Sequence, residues 1–253
     1  MSLALVGIVL RGCAFTFRNY LGPGDQAERW WGRVFAIASL VTPVLLGTVL
    51  GGIYAGRARL QADFISGWLA PFPLAVGLFT LGLVAYLAAT YLTVETSNDP
   101  DLQEAFRARA LVAGVLTILV GAVLLLTDDH DVSAHPAAAW LLAARTASAV
   151  VAGAALWSLA AHRFRIARIL VALQAGLIVV TWGASQYPYL IPPDLTIRAA
   201  AAPASTLRML TGALAVGAAL LFPGFYYLFY VFKGGLLSMN DKQATAGGPD
   251  EVR

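Results

Sequence analysis

The chain has 253 residues, of which 59% are hydrophobic and 12% are charged, and its mean hydropathy is +0.73. These values lie outside the range of soluble globular domains and indicate an integral membrane protein. The single cysteine, Cys13, excludes an internal disulfide and a cysteine-rich metal site, and the net charge of +3 without a basic cluster among aromatic residues gives no basis for nucleic-acid binding.

The apolar runs predict an all-α fold, a polytopic transmembrane helix bundle, because about 20 residues are needed to cross a bilayer as a helix. A short apolar run opens the chain at 2–17, and six complete runs follow. A transmembrane domain at 1–233 is expected to precede a polar, disordered cytoplasmic tail at 234–253. The six complete runs lie at 33–56, 69–94, 107–127, 136–161, 165–187 and 205–233.

The opening sequence MSLALVGIVLRGC has three interpretations: a cleaved signal, a lipid-anchored start at Cys13, or the remainder of a helix whose beginning is missing. A signal peptide carries its basic residues before the apolar core, whereas Arg11 follows it here. Arg11 also occupies a place where a lipoprotein box has a small or apolar residue. The third interpretation is therefore favoured.

Two local patterns predict how the next helices pack and begin. Gly47 and Gly51 repeat the small-xxx-small spacing, which lets a second helix approach closely and favours a packing face over a helix broken at the nearby Pro43. Further along, Asn98 or Asp99 is a suitable N-cap ahead of Pro100, so the helix that follows is expected to start outside the hydrocarbon.

Candidate ligands for a metal or a haem are few. The loop TDDHDVSAH contains carboxylate and imidazole groups that suit Zn or Mn, although a solvated hydrophilic turn is favoured. Haem needs inward-facing axial ligands, and only Cys13 and Met209 are candidates, so we expect this chain to bind no haem alone. The loop residues in question are Asp128, Asp129, His130, Asp131 and His135.

Arg145 is the one charge placed well inside an apolar run. Charges within a membrane usually face a partner, a cavity or a subunit interface. The alternative is that the long side chain reaches the outer headgroups. The sequence leaves both interpretations open.

The segment WGASQYPYLIPPDLTIR, between the last two spans, is rich in proline and aromatic residues. Its closely spaced prolines predict an extended, rigid path, which suggests contact with another molecule or a stiff connector.

The distribution of Lys and Arg predicts the orientation. When alternate loops are assigned to opposite sides, 12 basic residues lie on one side and 4 on the other. The 4 are Arg57, Arg59, Arg198 and Arg208, and the 12 are Arg11, Arg18, Arg29, Arg33, Arg107, Arg109, Arg163, Arg165, Arg168, Lys233, Lys242 and Arg253. The richer side is expected to be cytoplasmic, which places the C-terminus inside.

Two stretches resemble subunit II of cytochrome bd-type ubiquinol oxidases. RGCAFTFR is similar to the family's Arg-Gly-x-x-Phe-x-Phe/Tyr-Arg segment at the end of the third helix, and YPYLIPPDLTIRAAAAPASTLRMLTG is similar to the sequence between its last two helices. The similarity extends over essentially the whole chain, through ERWWGRVFAIASLVTPVLLG and DLQEAFRARALVAGV. The matching residues, for which we expect packing and interface roles, are Arg11, Gly12, Phe15, Phe17, Arg18, Tyr187, Pro188, Pro192, Pro193, Leu195 and Thr196.

The resemblance implies a nine-helix fold, of which this chain would hold about seven helices. The first two helices and the start of the third are then expected to be absent, through a misassigned start codon, a split gene or a true short form. The family's acidic residue associated with proton access would fall in that absent part.

The resemblance also implies a function. Subunit II pairs with a haem-bearing subunit I, which holds haems b and d, oxidises quinol and reduces oxygen to water in the bacterial or archaeal cell membrane. Subunit II supports assembly, quinone is a possible ligand, and no catalytic residue is carried over. The alternative is a secondary transporter, which should show an internal repeat and paired broken helices.

Overall fold

The computed structural model describes residues 2–20, 26–55, 70–127, 138–191 and 195–246. Long helices account for nearly all of this part of the chain, and one short hairpin interrupts them. The elements are α1 Ser2–Tyr20, α2 Gln26–Tyr54, α3 Pro71–Glu95, α4 Pro100–Leu126, α5 Ala138–Ala160, α6 Phe164–Gln186, β1 Tyr189–Ile191, β2 Leu195–Thr196, α7 Ile197–Ala200 and α8 Ala204–Ala246.

Six of the described helices are long and apolar enough to cross a membrane: α2, α3, α4, α5, α6 and α8. The prediction of six complete spans in an all-helical fold is therefore confirmed. Helices α2 and α4 begin seven residues before the predicted apolar runs, because their first turns are polar and continue the helix beyond the hydrocarbon. The Asp99 carboxylate accepts a hydrogen bond from the Leu102 N–H (3.1 Å) and Pro100 follows it, as the capping pattern predicts.

The chain divides into two units, Met1–Ala199 and Ala200–Arg253, and the second consists largely of α8. Helix α8 continues to Ala246, past residue 233 where the predicted span ends and a disordered tail was expected. Residues 247–253 of the predicted tail lie outside the described part.

Helices α1 to α4 pack in chain order, and glycines face threonines where they meet. A side chain at Gly47 of α2 would overlap Thr80 of α3, and one at Gly77 of α3 would lie 2.6 Å from Oγ1 of Thr48 on α2. The same pairing joins α1 to α2 at Gly7 and Thr42, and α3 to α4 at Gly82 and Thr117. The missing side chains let the backbones approach closely, so the predicted packing face of α2 is confirmed.

Helices α3 to α6 share a core around Tyr86. Its side chain is 1% exposed and belongs to a cluster with residues of α4, α5 and α6, including Leu159 and Val171. A side chain at Gly114 of α4 would lie 2.8 Å from the Tyr86 ring, so this glycine makes the space that the ring fills. The phenol ring thus connects four helices.

The turn between α5 and α6 brings polar groups of three helices to one end of the bundle. His162 adopts a left-handed conformation (φ 56°), and the Arg163 N–H donates to the Ser158 carbonyl (2.8 Å), closing α5 in the manner of a Schellman motif. From α4, Arg107 Nε donates to the Leu159 carbonyl at 2.9 Å and its Nη2 to the Ala160 carbonyl at 3.2 Å. One guanidinium therefore binds the last two carbonyls of α5, of which that of Leu159 also accepts from the His162 N–H (3.3 Å).

A second arginine joins α6 to α3 at the same end. The Arg168 guanidinium lies 4.8 Å from the centre of the Tyr91 ring and 3.5 Å from the Glu95 carboxylate. Between α3 and α4, the Gln103 amide donates to the Thr93 carbonyl (2.7 Å). Side chains at this end therefore connect α3 to both α4 and α6.

We expect Gly47→Ala to destabilise the bundle. The new methyl group would lie 2.8 Å from the Gly77 Cα, so α2 and α3 would have to separate, at a cost of about 1–3 kcal/mol in the free energy of unfolding. Gly176→Ala in α6 is the matched control, because a methyl there meets no atom within 4 Å. Unfolding of the purified protein in detergent measures both; equal stabilities of the two variants would contradict the close-packing account.

We also expect Arg107→Ala to loosen the end of α5. The variant loses charged hydrogen bonds to two carbonyls, each of which contributes at most about 1.5–3 kcal/mol to the free energy of unfolding. The loss is smaller at this half-buried site because water can bind the carbonyls instead. Hydrogen exchange should accelerate at the amides of 157–163 in that variant. Arg109→Ala, on the same helix but over the Phe106 ring (5.3 Å), should leave these amides unchanged. The capping role is wrong if both variants behave alike.

Candidate functional site

The first group of predicted site residues lies on the second half of α1, where three of them contact α2. The Phe17 ring stacks on Trp31 at 4.8 Å between centroids, and the Phe15 ring lies 6.4 Å from Phe35. The Arg11 guanidinium lies over the same Phe35 ring, at 5.6 Å. The aromatic and basic residues of the motif therefore hold α1 against α2.

The same motif also leaves surface uncovered. Phe15 is 59% exposed and Phe17 is 51% exposed, so about half of each ring is free within this unit. Arg18 is exposed, and a side chain at Gly12 would meet no atom within 4 Å. Contacts with the residues that the structure describes therefore do not explain a glycine at position 12 or an arginine at position 18.

The second group of predicted site residues forms a hairpin after α6. Strands β1 and β2 are antiparallel, with Tyr189 opposite Thr196, and the peptide bond between Tyr187 and Pro188 is cis. The Ile197 N–H donates to the Pro188 carbonyl (3.0 Å), which closes the hairpin at its base. The described part of this segment is extended, as predicted, whereas its rigidity stays a prediction; Pro192 and Pro193 lie outside the described residues.

Leu195 and Thr196 end the hairpin and begin α7. Leu195 pairs with Ile191 across the sheet. The Thr196 hydroxyl accepts a hydrogen bond from the Ala199 N–H (3.2 Å), as an N-cap does. Local hydrogen bonding therefore explains Thr196 without any ligand.

Arg145 is half-buried on α5, seven residues after the helix begins at Ala138. That separation corresponds to about 10 Å along the axis, at 1.5 Å per residue. An interface role and a side chain directed to the headgroups both stay predictions.

The structure describes only part of the candidate metal and haem ligands. The loop from Asp128 to His135 lies outside it, and in the ranges that are described no three His, Cys, Asp or Glu residues form a group that could hold a metal. Cys13 is exposed on α1, and His162 lies in the turn after α5. Met209, the other haem candidate, is exposed on α8, and the expectation that this chain binds no haem alone stays a prediction.

Sequence reasoning missed the two arginines that connect helix ends. Arg107 and Arg168 were counted only as charges that set the orientation, whereas the structure gives each a specific partner on another helix. The sequence offers one signal: a basic residue lies in the first turns of one span, and the chain reverses between two later spans. Such a residue can bind the carbonyls at the end of another helix. This signal does not identify the partner helix.

The contacts of these residues indicate a structural role. The polar contacts described above satisfy helix ends or turns, and the aromatic ones hold helices together. Among the predicted site residues, exposed surface remains on the α1 motif and on the hairpin.

Comparisons with known proteins agree on one family. The family model for cytochrome bd terminal oxidase subunit II matches residues 1–232. The putative cytochrome bd menaquinol oxidase subunit II of Bacillus subtilis (strain 168) is 27% identical over 212 residues, and the match covers 78% of this chain and 60% of that protein. Cytochrome bd-I ubiquinol oxidase subunit 2 of Escherichia coli (strain K12) is 25% identical over 239 residues, with 79% of this chain and 62% of that protein covered.

A solved structure shares the fold. In the structure of bd oxidase from Geobacillus thermodenitrificans, one chain superposes with a TM-score of 0.64 at 24% identity, covering 91% of this chain and 72% of that one. At that identity the likeness is evidence for the fold alone. The chain spans about three fifths of the length of the curated relatives, 60% and 62%.

The family expected from the two sequence motifs is thus confirmed by a match over nearly the whole length: this multi-pass membrane protein belongs to the cytochrome bd terminal oxidase subunit II family.

Proposed function

We propose that this chain is the non-haem subunit II of a bd-type terminal quinol oxidase and that it pairs with a haem-bearing subunit I. In the proposed complex, subunit I oxidises quinol, reduces oxygen to water and contributes to the proton gradient. The family match over residues 1–232 is the observation that carries the proposal. The relatives are named for menaquinol and for ubiquinol, so the proposed substrate is a quinol of either ring type.

The packing of the described helices supports a scaffolding role. Glycine–threonine contacts join each pair of consecutive helices from α1 through α4, and Arg107 and Arg168 connect helix ends. Such a bundle presents a firm surface to a partner, while the haems b and d and the quinol-oxidising groups belong to subunit I. No catalytic residue is assigned to this chain.

We infer that the C-terminus lies in the cytoplasm of a bacterial or archaeal cell. The asymmetry of 12 basic residues against 4 supports this orientation. The antiparallel packing of consecutive helices brings Arg107, Arg163 and Arg168 to one end of the bundle, which agrees with the assignment of these residues to one side.

The transporter alternative is not favoured. A transporter site needs helices broken near the middle of the membrane. Pro43 was the best candidate for such a break, and α2 runs through it from Gln26 to Tyr54.

The proposal predicts that the tagged chain, purified from its own membrane in mild detergent, brings with it a larger subunit. A reduced-minus-oxidised absorption spectrum of that sample should show b- and d-type haem bands. An unrelated tagged membrane protein from the same cells is the control for carry-over. A colourless chain without a partner would overturn the oxidase assignment.

We propose that the α1 motif supports assembly with subunit I. Arg11→Gln removes the cation–π contact with Phe35, which is worth about 0.5–1 kcal/mol at an exposed site, and should lower the haem recovered per tagged chain by roughly two- to fivefold. Arg208→Gln removes the same charge from α8, outside the motif. An equal haem yield from the two variants would remove the motif from the assembly role.

A further inference from the structure

We propose that a basic cleft on the first turns of α2 binds the headgroup of an anionic phospholipid. The cleft has a volume of about 550 Å³ and is lined by Gln26, Ala27, Arg29, Trp30 and Arg33. It lies outside the groups assigned to packing above, and the proposed oxidase role makes no use of it.

The first turns of α2 lie at the depth of the lipid headgroups. Helix α2 has 29 residues, from Gln26 to Tyr54. At 1.5 Å per residue it is about 43 Å long, whereas the hydrocarbon core is about 30 Å thick. The charged residues of α2 all fall between Gln26 and Arg33, so the excess length is at this end.

The positive charges of the two arginines of the cleft are not neutralised by an ion pair within the described residues. Arg29 and Arg33 are four residues apart on one helix, where like charges repel each other. Both are exposed, and neither forms an ion pair within the described residues. By contrast, Arg107 and Arg168 at the same end of the bundle are paired with Glu104 and Glu95.

A phosphodiester between the two arginines would relieve this repulsion. Guanidinium groups bind phosphate oxygens in a two-pronged geometry that an ammonium group does not reproduce. The volume of about 550 Å³ lies within the range of small-molecule sites. The charge and the size of the cleft therefore fit a phosphate-bearing headgroup.

Trp30 favours a lipid over a free anion. It is 57% exposed, and its ring meets Trp31 edge-on at 5.0 Å, while Trp31 stacks on Phe17 of α1 at 4.8 Å. These contacts hold the Trp30 ring in place beside the arginines. Tryptophan at the membrane interface offers an apolar ring to the lipid and an N–H to its polar groups.

The test counts lipids by native mass spectrometry. The full chain, with any subunit that co-purifies, is placed in nanodiscs of equal parts phosphatidylglycerol and phosphatidylcholine and released into the spectrometer. We expect the wild type to retain phosphatidylglycerol in preference to phosphatidylcholine. The variant R29Q/R33Q should retain one phosphatidylglycerol fewer, with occupancy of that site falling at least threefold.

The matched control is R109Q/R163Q, which removes two charges from the same end of the bundle, outside the cleft. It should retain as many phosphatidylglycerol molecules as the wild type. If R29Q/R33Q does not fold, R33Q alone gives the same comparison and should show a partial loss.

Two further arms separate the possible sources of the phosphate. Inorganic phosphate, added to nanodiscs containing both lipids, should not displace the retained phosphatidylglycerol; displacement would make the cleft a site for soluble anions. The proposal is also wrong if the wild type shows no preference for phosphatidylglycerol or if both double variants lose it equally. None of these outcomes depends on whether the chain pairs with a haem subunit.

Discussion

The close approach of neighbouring helices is the constraint on which the rest of the bundle depends. In a membrane, lipid tails are as apolar as the side chains, so no hydrophobic force drives helices together and van der Waals contact has to do so. At Gly47 and Gly77 the α2 and α3 backbones come near enough that an added side-chain carbon would overlap the opposite helix. Helices α4 to α6 are then arranged around α3, through Tyr86 in the core and Glu95 at its end.

Helix ends impose the second constraint. The carbonyls that a helix leaves unpaired at its end need partners from another part of the protein or from water. Arg107 meets this need for α5 from another helix, with its guanidinium on the Leu159 and Ala160 carbonyls, while Arg163 closes the turn with its own N–H. The contact sets the depth of α4 relative to α5 at the end where the two helices meet.

Much of the fold could be predicted from the sequence, because the bilayer limits the choices so strongly. Span number, the Asp99 cap and the packing face around Gly47 follow from length, hydropathy and spacing, and all agree with the structure. The helix starts were predicted less well where the first turns are polar. Helix α2 starts at Gln26 rather than 33, because hydropathy predicts the part of a helix that lies in the hydrocarbon and not the whole helix. Helix α8 likewise passes its predicted end.

The candidate site was less predictable. The site role of the two family motifs stays a prediction, and composition could not say that Phe17 stacks on Trp31 or that Thr196 caps α7. Such contacts depend on which helix faces which, and hydropathy carries no information on that. The contacts of Arg107 and Arg168 could not be predicted for the same reason, because each arginine contacts a helix that is distant in sequence.

Three of the four threonines that face glycines have a consequence for the order of biogenesis; the fourth, Thr42, has a buried hydroxyl with no hydrogen-bond partner among the described residues. Thr48, Thr80 and Thr117 each donate their hydroxyl proton to a carbonyl of their own helix, at 2.7–2.8 Å, while facing a glycine of a neighbouring helix. Each of these hydroxyls is therefore satisfied before any neighbour arrives. Spans built in this way can leave the translocon one at a time, wait singly in the lipid without an exposed polar group at these positions, and associate afterwards.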